Sequence, residues 1–214
     1  MPDRWTQRAP LTGIVAVAFF IVTFILGGET PDFDAGTKEI LDYYGDQTTQ
    51  TIVSILALYG SVLLVFFAAT LRSALRRSEA LSLLVLIGGS LQALGWTIFA
   101  GLNFTLTDLA NSDHVSQIDP GALQSLNALN SDFFFPIVLG TAVWFFSVAL
   151  AILRTGGLPR WLGWAAVIIA IVSVTPVGFF AIPASGIWIV VASVVMLRGA
   201  ADGAATPSQQ QSVG

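Results

Sequence analysis

Six uncharged apolar runs alternate with polar, charged segments along this chain. Residues 11–28, 52–71, 81–102, 133–153 and 161–180 contain no Asp, Glu, Lys, Arg or His, and neither does the shorter run 182–197. A helix of about 20 predominantly apolar residues is long enough to cross the hydrocarbon core of a bilayer. The pattern therefore predicts an all-α, polytopic membrane protein with a six-transmembrane-helix bundle occupying residues 1–198. The short polar, Gln-rich stretch 199–214 has no apolar periodicity and reads as a disordered cytoplasmic tail.

The two longest polar segments carry elements of their own. In 29–50, Pro31 marks the exit from the first run, and Asp34 is placed to cap a helix starting near Ala35. Ile40, Leu41, Tyr43 and Tyr44 then bring apolar and aromatic groups among charged neighbours, which predicts a short amphipathic helix at the outer interface. In 103–132, Asp119-Pro120-Gly121 is a helix-start signal, with Asp as the cap and Pro at the first helical position. Leu123, Leu126 and Leu129 follow at a three-residue period, with Asn127 and Asn130 beside them, predicting a second amphipathic segment. Gly156-Gly157-Leu158-Pro159 predicts a tight hairpin between the fourth and fifth runs.

Composition agrees with the pattern: 55% of the residues are hydrophobic and 10% are charged. The basic residues add an orientation. Arg4, Arg8, Arg72, Arg76, Arg77, Arg154, Arg160 and Arg198 all fall on one side of a six-span arrangement, and Lys38 alone falls on the other. Short loops rich in Arg stay cytoplasmic, so both termini are expected in the cytoplasm of a multi-pass plasma-membrane protein. The run 11–28 is longer than the apolar region of a secretory signal and is followed by no small-residue cleavage pattern; it is expected to be retained as a span. The acidic residues gather on the opposite side, with Glu29, Asp32, Asp34, Glu39, Asp42 and Asp46 in the first outer loop and Asp108, Asp113, Asp119 and Asp132 in the second.

Candidate chemistry is sparse. No apolar run carries an ionisable group, which argues against proton relays and ion-coupled transport. Cysteine is absent and the net charge is −4, so thiolate sites do not arise and nucleic acid is not an expected partner. The single histidine, His114, lies in an Asp- and Asn-rich loop without a metal-ligand pattern. Neither a catalytic constellation nor a cofactor motif is present, and neither a cofactor nor a metal is expected. Gln92, Trp96 and Asn103, at spacings of four and seven, share one side of a helix. A buried amide there either joins helices or faces a ligand. Asp132 precedes Phe133-Phe134-Phe135-Pro136 and is placed either to cap the fourth span or to line an outer cavity. Gln92, Trp96, Asn127 and Asp132 are accordingly the candidate ligand-binding residues. Arg72, Arg76, Arg77, Arg154 and Arg160 are candidates for anionic lipid headgroups, worth roughly 1 kcal/mol each near the surface. Gly88, Gly89, Ser90 and Gly95 are small enough for close helix packing.

Several stretches resemble uncharacterised actinobacterial six-span integral membrane proteins, of the kind defined only as domains of unknown function. They are Phe33-Asp34-Ala35, Glu39-Ile40 and Tyr43-Tyr44 in the first outer loop, Asn130-Ser131-Asp132-Phe133-Phe134 before the fourth run, and Leu158-Pro159-Arg160-Trp161-Leu162-Gly163-Trp164 at the following hairpin. The resemblance covers most of the chain. It implies a six-span membrane protein and supplies no catalytic residue.

Two functional classes follow. The first is a non-enzymatic membrane protein, structural or accessory, whose partners are membrane lipids or other membrane proteins. The second is a carrier or receptor for a small apolar or amphipathic molecule, with a cavity opening to the outside. The oligomeric state is not legible in the sequence.

Overall fold

The computed structural model describes residues 7–132 and 134–205, with side chains through residue 199. The first helix, α1 (Leu11–Gly27), is followed by α2 (Thr37–Tyr44), α3 (Gln47–Ala74) and α4 (Glu79–Ala110). Then come α5 (Pro120–Ser131), α6 (Phe134–Thr155), α7 (Arg160–Ser173) and α8 (Ala181–Ala205), with short 3₁₀ turns at Val115–Gln117 and Gly178–Phe180. No strand occurs among the described residues. Four helical stretches are long and apolar enough to cross a membrane: Gln47–Ala74, Glu79–Ala110, Pro120–Thr155 and Gly178–Gly199. The third of these takes in α5, the undescribed Phe133 and α6. The helices Leu11–Gly27 and Arg160–Ser173 are apolar but shorter.

Helix ends follow local chemistry, and several differ from the apolar runs. The helices α3 and α4 continue beyond 52–71 and 81–102, because their polar ends pack into a cap at the acidic end of the bundle. Asp46 starts α3 by accepting the Thr49 N–H at 3.2 Å. The run 161–180 is not one helix. Helix α7 stops at Ser173, since Pro176 has no N–H to give and disfavours a helical conformation at Thr175. In α8, Pro183 lies in the first turn, where a missing N–H costs nothing. The same helix runs on to Ala205, so the beginning of the stretch expected to be a disordered tail is helical. Residues 206–214 lie outside the described residues, as does Arg4.

Consecutive long helices run antiparallel, and α4 and α6 pack through glycine. A Cβ on Gly88 of α4 would lie 2.5 Å from Trp144 Cα of α6, and one on Gly95 would lie 2.8 Å from Ile137 N. On the facing side, a Cβ on Gly140 would collide with the backbone N and Cα of Gln92. The predicted packing role of Gly88, Gly89 and Gly95 is thus seen in detail: removing side chains lets the two backbones approach. The α6–α7 hairpin turns on Gly156 and Gly157, with φ of 75° and 104°, values that L side chains rarely adopt.

The large core holds Phe67, Trp144, Phe145, Trp188 and their neighbours between the long helices. The outward faces are apolar as well: Ile25, Leu94, Leu139, Ile168 and Ile187 are all exposed. Such a belt is compatible with a membrane protein, whose surroundings are as apolar as its core. Trp161 and Trp164 are exposed near the arginine-bearing end, as expected of interface residues.

Candidate functional site

At the acidic end, α2 and α5 fold over the extended ends of α3 and α4. Ile40, Tyr44, Leu106 and Leu123 form a second, smaller core there. Asp119 Oδ1 accepts the Ala122 N–H at 3.0 Å, with Pro120 opening α5, as predicted. Asp34 does not cap α2. That helix begins at Thr37, Gly36 occupies the cap position, and no side chain completes it. The leucine period of α5 is only partly buried: Leu123 is inside, whereas Leu129 is exposed and Asn127 and Asn130 are buried.

Those asparagines are buried because the opposing loop offers them partners. Asn127 Nδ2 donates to Asp32 O at 2.8 Å, and Asn130 Nδ2 donates to Tyr44 Oη at 2.9 Å. Asn111 Nδ2 donates to Tyr44 O at 3.0 Å. Tyr43 Oη in turn donates to Gly27 O at 2.7 Å, satisfying a carbonyl that the end of α1 would otherwise leave orphaned. Burial pushes the Tyr43 hydroxyl above its ordinary pKa, against a smaller opposite effect of the Gln50 side chain. Tyr44 is raised further, chiefly by burial, which outweighs the hydrogen bond from Asn130. The elements of the cap are joined to one another by uncharged side chains.

Deeper in the bundle, Asn103 directs its Nδ2 at Ser54 Oγ (3.0 Å), Gln50 O (3.2 Å) and Gln50 Oε1 (3.3 Å). It joins α4 to α3. Gln92 and Trp96, near the middle of α4, lie elsewhere. They form part of the wall of an almost wholly apolar cleft of about 380 Å³ between α1 and α8. Trp96 stacks on Phe20 of α1 with ring centroids 4.3 Å apart and meets Phe24 edge-on at 5.7 Å. Gln92 Nε2 makes a long 3.5 Å hydrogen bond to Ser185 Oγ, whose own proton goes to Ile182 O at 2.7 Å. Gln92 Oε1 is buried with no partner among the described residues.

The four candidate ligand residues are therefore not gathered in one place. Gln92 and Trp96 share the cleft. Asn127 is spent on the cap, and neither it nor Asp132 lines the cleft. Asp132 is exposed and closes α5, its N–H donating to Ala128 O at 3.0 Å. Its carboxylate accepts no hydrogen bond among the described residues, and only its carbonyl reaches forward, accepting the Phe135 N–H at 3.4 Å. Phe20, Ser185 and Gly186 complete the cleft and were not singled out from the sequence. Ser185-Gly186 is a polar, small pair inside an apolar run, and that was the available signal.

At the opposite end, Arg72 pairs with Glu79 at 2.7 Å, and Arg77 Nη1 donates to Thr155 O at 2.8 Å, tying the α3–α4 loop to the α6–α7 hairpin. Arg76 lines a second cavity, of about 740 Å³, with Thr70, Ser73 and Pro159. Arg154 and Arg160 lie at the end of α6 and the start of α7. His114 is exposed, and no three metal-ligating side chains converge among the described residues. Comparison with known proteins finds no matching family model, no similar curated protein and no similar solved structure.

Proposed function

We propose that this chain is a six-span integral membrane protein of the plasma membrane with a non-enzymatic, accessory role, binding lipid or another membrane protein. In this reading α1 and α7 cross with the four longer stretches, the arginine end is cytoplasmic and the acidic cap is outside. The observation that carries it is the separation of charge along the bundle axis: the described arginines at one end with Glu79, most of the carboxylates at the other with Lys38, and an exposed apolar belt between them. At 14 residues, α7 would span only about 21 Å, and the apolar turn that follows it, with Val174 and Phe180 exposed, completes the passage inside hydrocarbon. The exposed rims of the cleft favour a second reading, a receptor for an amphipathic molecule that enters sideways from the bilayer.

Single cysteines at Gly36, Asp113 and Gly199 test the placement in intact cells with an impermeant thiol reagent. Labelling at 36 and 113 with protection at 199 is expected. Labelling at 199 from outside would reject the cytoplasmic C-terminus, and together with labelling at 36 and 113 it would reject the six-span count as well.

A further inference from the structure

We infer that the cleft between α1 and α8 holds one uncharged, long-chain lipid bearing a hydroxyl group, which donates its proton to Gln92 Oε1. The inference rests on the membrane placement proposed above. Three observations select the occupant. The cleft's volume of about 380 Å³ lies in the range of small-molecule sites. Its exposed rims, Ile21 and Phe24 on α1 and Ile187 on α8, open it to the side of the bundle, where a membrane supplies hydrocarbon chains. Among its lining residues none is ionisable, so a charged group entering it would lose its hydration without a counter-ion.

The polar wall narrows the chemistry further. Gln92 is 2% exposed, and an amide acceptor buried without a partner is costly and rare in folded proteins. Ser185 cannot relieve it, because its proton is already held by Ile182 O. A second acceptor would be repelled, whereas a donor pairs with Oε1 once the amide, buried as it stands, turns into the cleft. The 3.5 Å contact to Ser185 is loose enough for the amide to turn toward a ligand. Trp96, held between Phe20, Phe24 and Phe99, gives the chain a rigid wall.

A photoactivatable long-chain alcohol tests this on the purified full chain in phospholipid vesicles, with the matching methyl ether and the plain alkane as competitors. The alcohol is expected to label α1 and the first half of α8. Unlabelled alcohol should compete about fivefold better than the ether, the effect of one net hydrogen bond. Gln92→Leu should abolish that preference while labelling persists. Gly186→Leu should suppress labelling, since its side chain enters the cleft while its Cβ meets Val17 at an ordinary 3.5 Å. Equal competition by alcohol and ether on the wild-type chain would overturn the proposal, even if neither variant folds. So would labelling confined to other helices, or co-purification of phospholipid alone in native mass spectrometry. The cysteine pattern at 36, 113 and 199 is read on the same vesicles, so a failure of membrane placement is told apart from a failure of binding.

Discussion

Asn130 of α5 donates its side-chain amide to the phenolic oxygen of Tyr44 on α2 at 2.9 Å, and both residues are buried. This bond fastens the polar segment 103–132 to the segment 29–50, beside the amide of Asn111 on the Tyr44 carbonyl. The cap is held by neutral donors and carbonyl or phenol acceptors, although ten carboxylates surround it in the two loops.

Breaking that bond from either side should strand a buried polar group. Tyr44→Phe and Asn130→Leu are each expected to destabilise the protein by about 1–3 kcal/mol. The double variant should cost less than their sum, with a coupling of about 1 kcal/mol. Denaturant unfolding in detergent, followed through the four proteins of the cycle, measures it; additive effects would show that the bond carries no energy.

Two tyrosines of the cap give it an alkaline limit. Both hydroxyls titrate above the ordinary value of about 10. A raised pKa means that the folded state holds its proton where the unfolded chain has lost it. The stability they contribute is complete below pH of about 10 and falls as the pH rises beyond it. Tyrosinate absorbance and unfolding midpoints, measured together across that range, should show the cap tyrosines ionising late and stability declining as they do. Tyr44→Phe should flatten the decline.

Glycine substitutions on α4 and α6 should divide by contact. Gly140→Ala places a methyl group against the Gln92 backbone, and overpacking of this kind costs about 1–3 kcal/mol. Gly101→Ala, on the same α4 but with nothing within 4 Å of its Cβ, should instead stabilise by about 0.5–1 kcal/mol. Thermal unfolding of the two variants side by side checks both signs.

The two carboxylates flanking α5 should behave differently. Asp119→Ala removes a cap bond and should cost about 1 kcal/mol, while Asp119→Asn is nearly neutral. Asp132→Ala removes an exposed carboxylate that makes no cap bond among the described residues and should change stability by less than about 0.5 kcal/mol. A larger loss at Asp132 would restore the capping role that its position before Phe133 first indicates.

The apolar runs, the cap at Asp119-Pro120, the Gly156-Gly157 turn and the distribution of arginines were all legible in the sequence. Each depends on a residue and its near neighbours: the cost of burying charge, the shape of a helix end, or a φ that only glycine accepts. The length of α7 was legible only in retrospect, since Thr175-Pro176 interrupts a run whose hydropathy continues past it.

What the tertiary structure alone decided is which sides of these helices meet. In a soluble protein a polar face marks the outside, but here the outward residues Leu91, Leu94 and Ile98 of α4 are as apolar as the core. Hydropathy therefore carries no stripe to separate inside from outside, and close packing against Gly88, Gly95 and Gly140 sets the contact instead. The same packing parts residues that the chain made equal candidates. It sends Gln92 and Trp96 to a cleft with α8, Asn103 to α3 and Asn127 to the cap, because an amide buried among helices goes wherever the assembled fold supplies a partner.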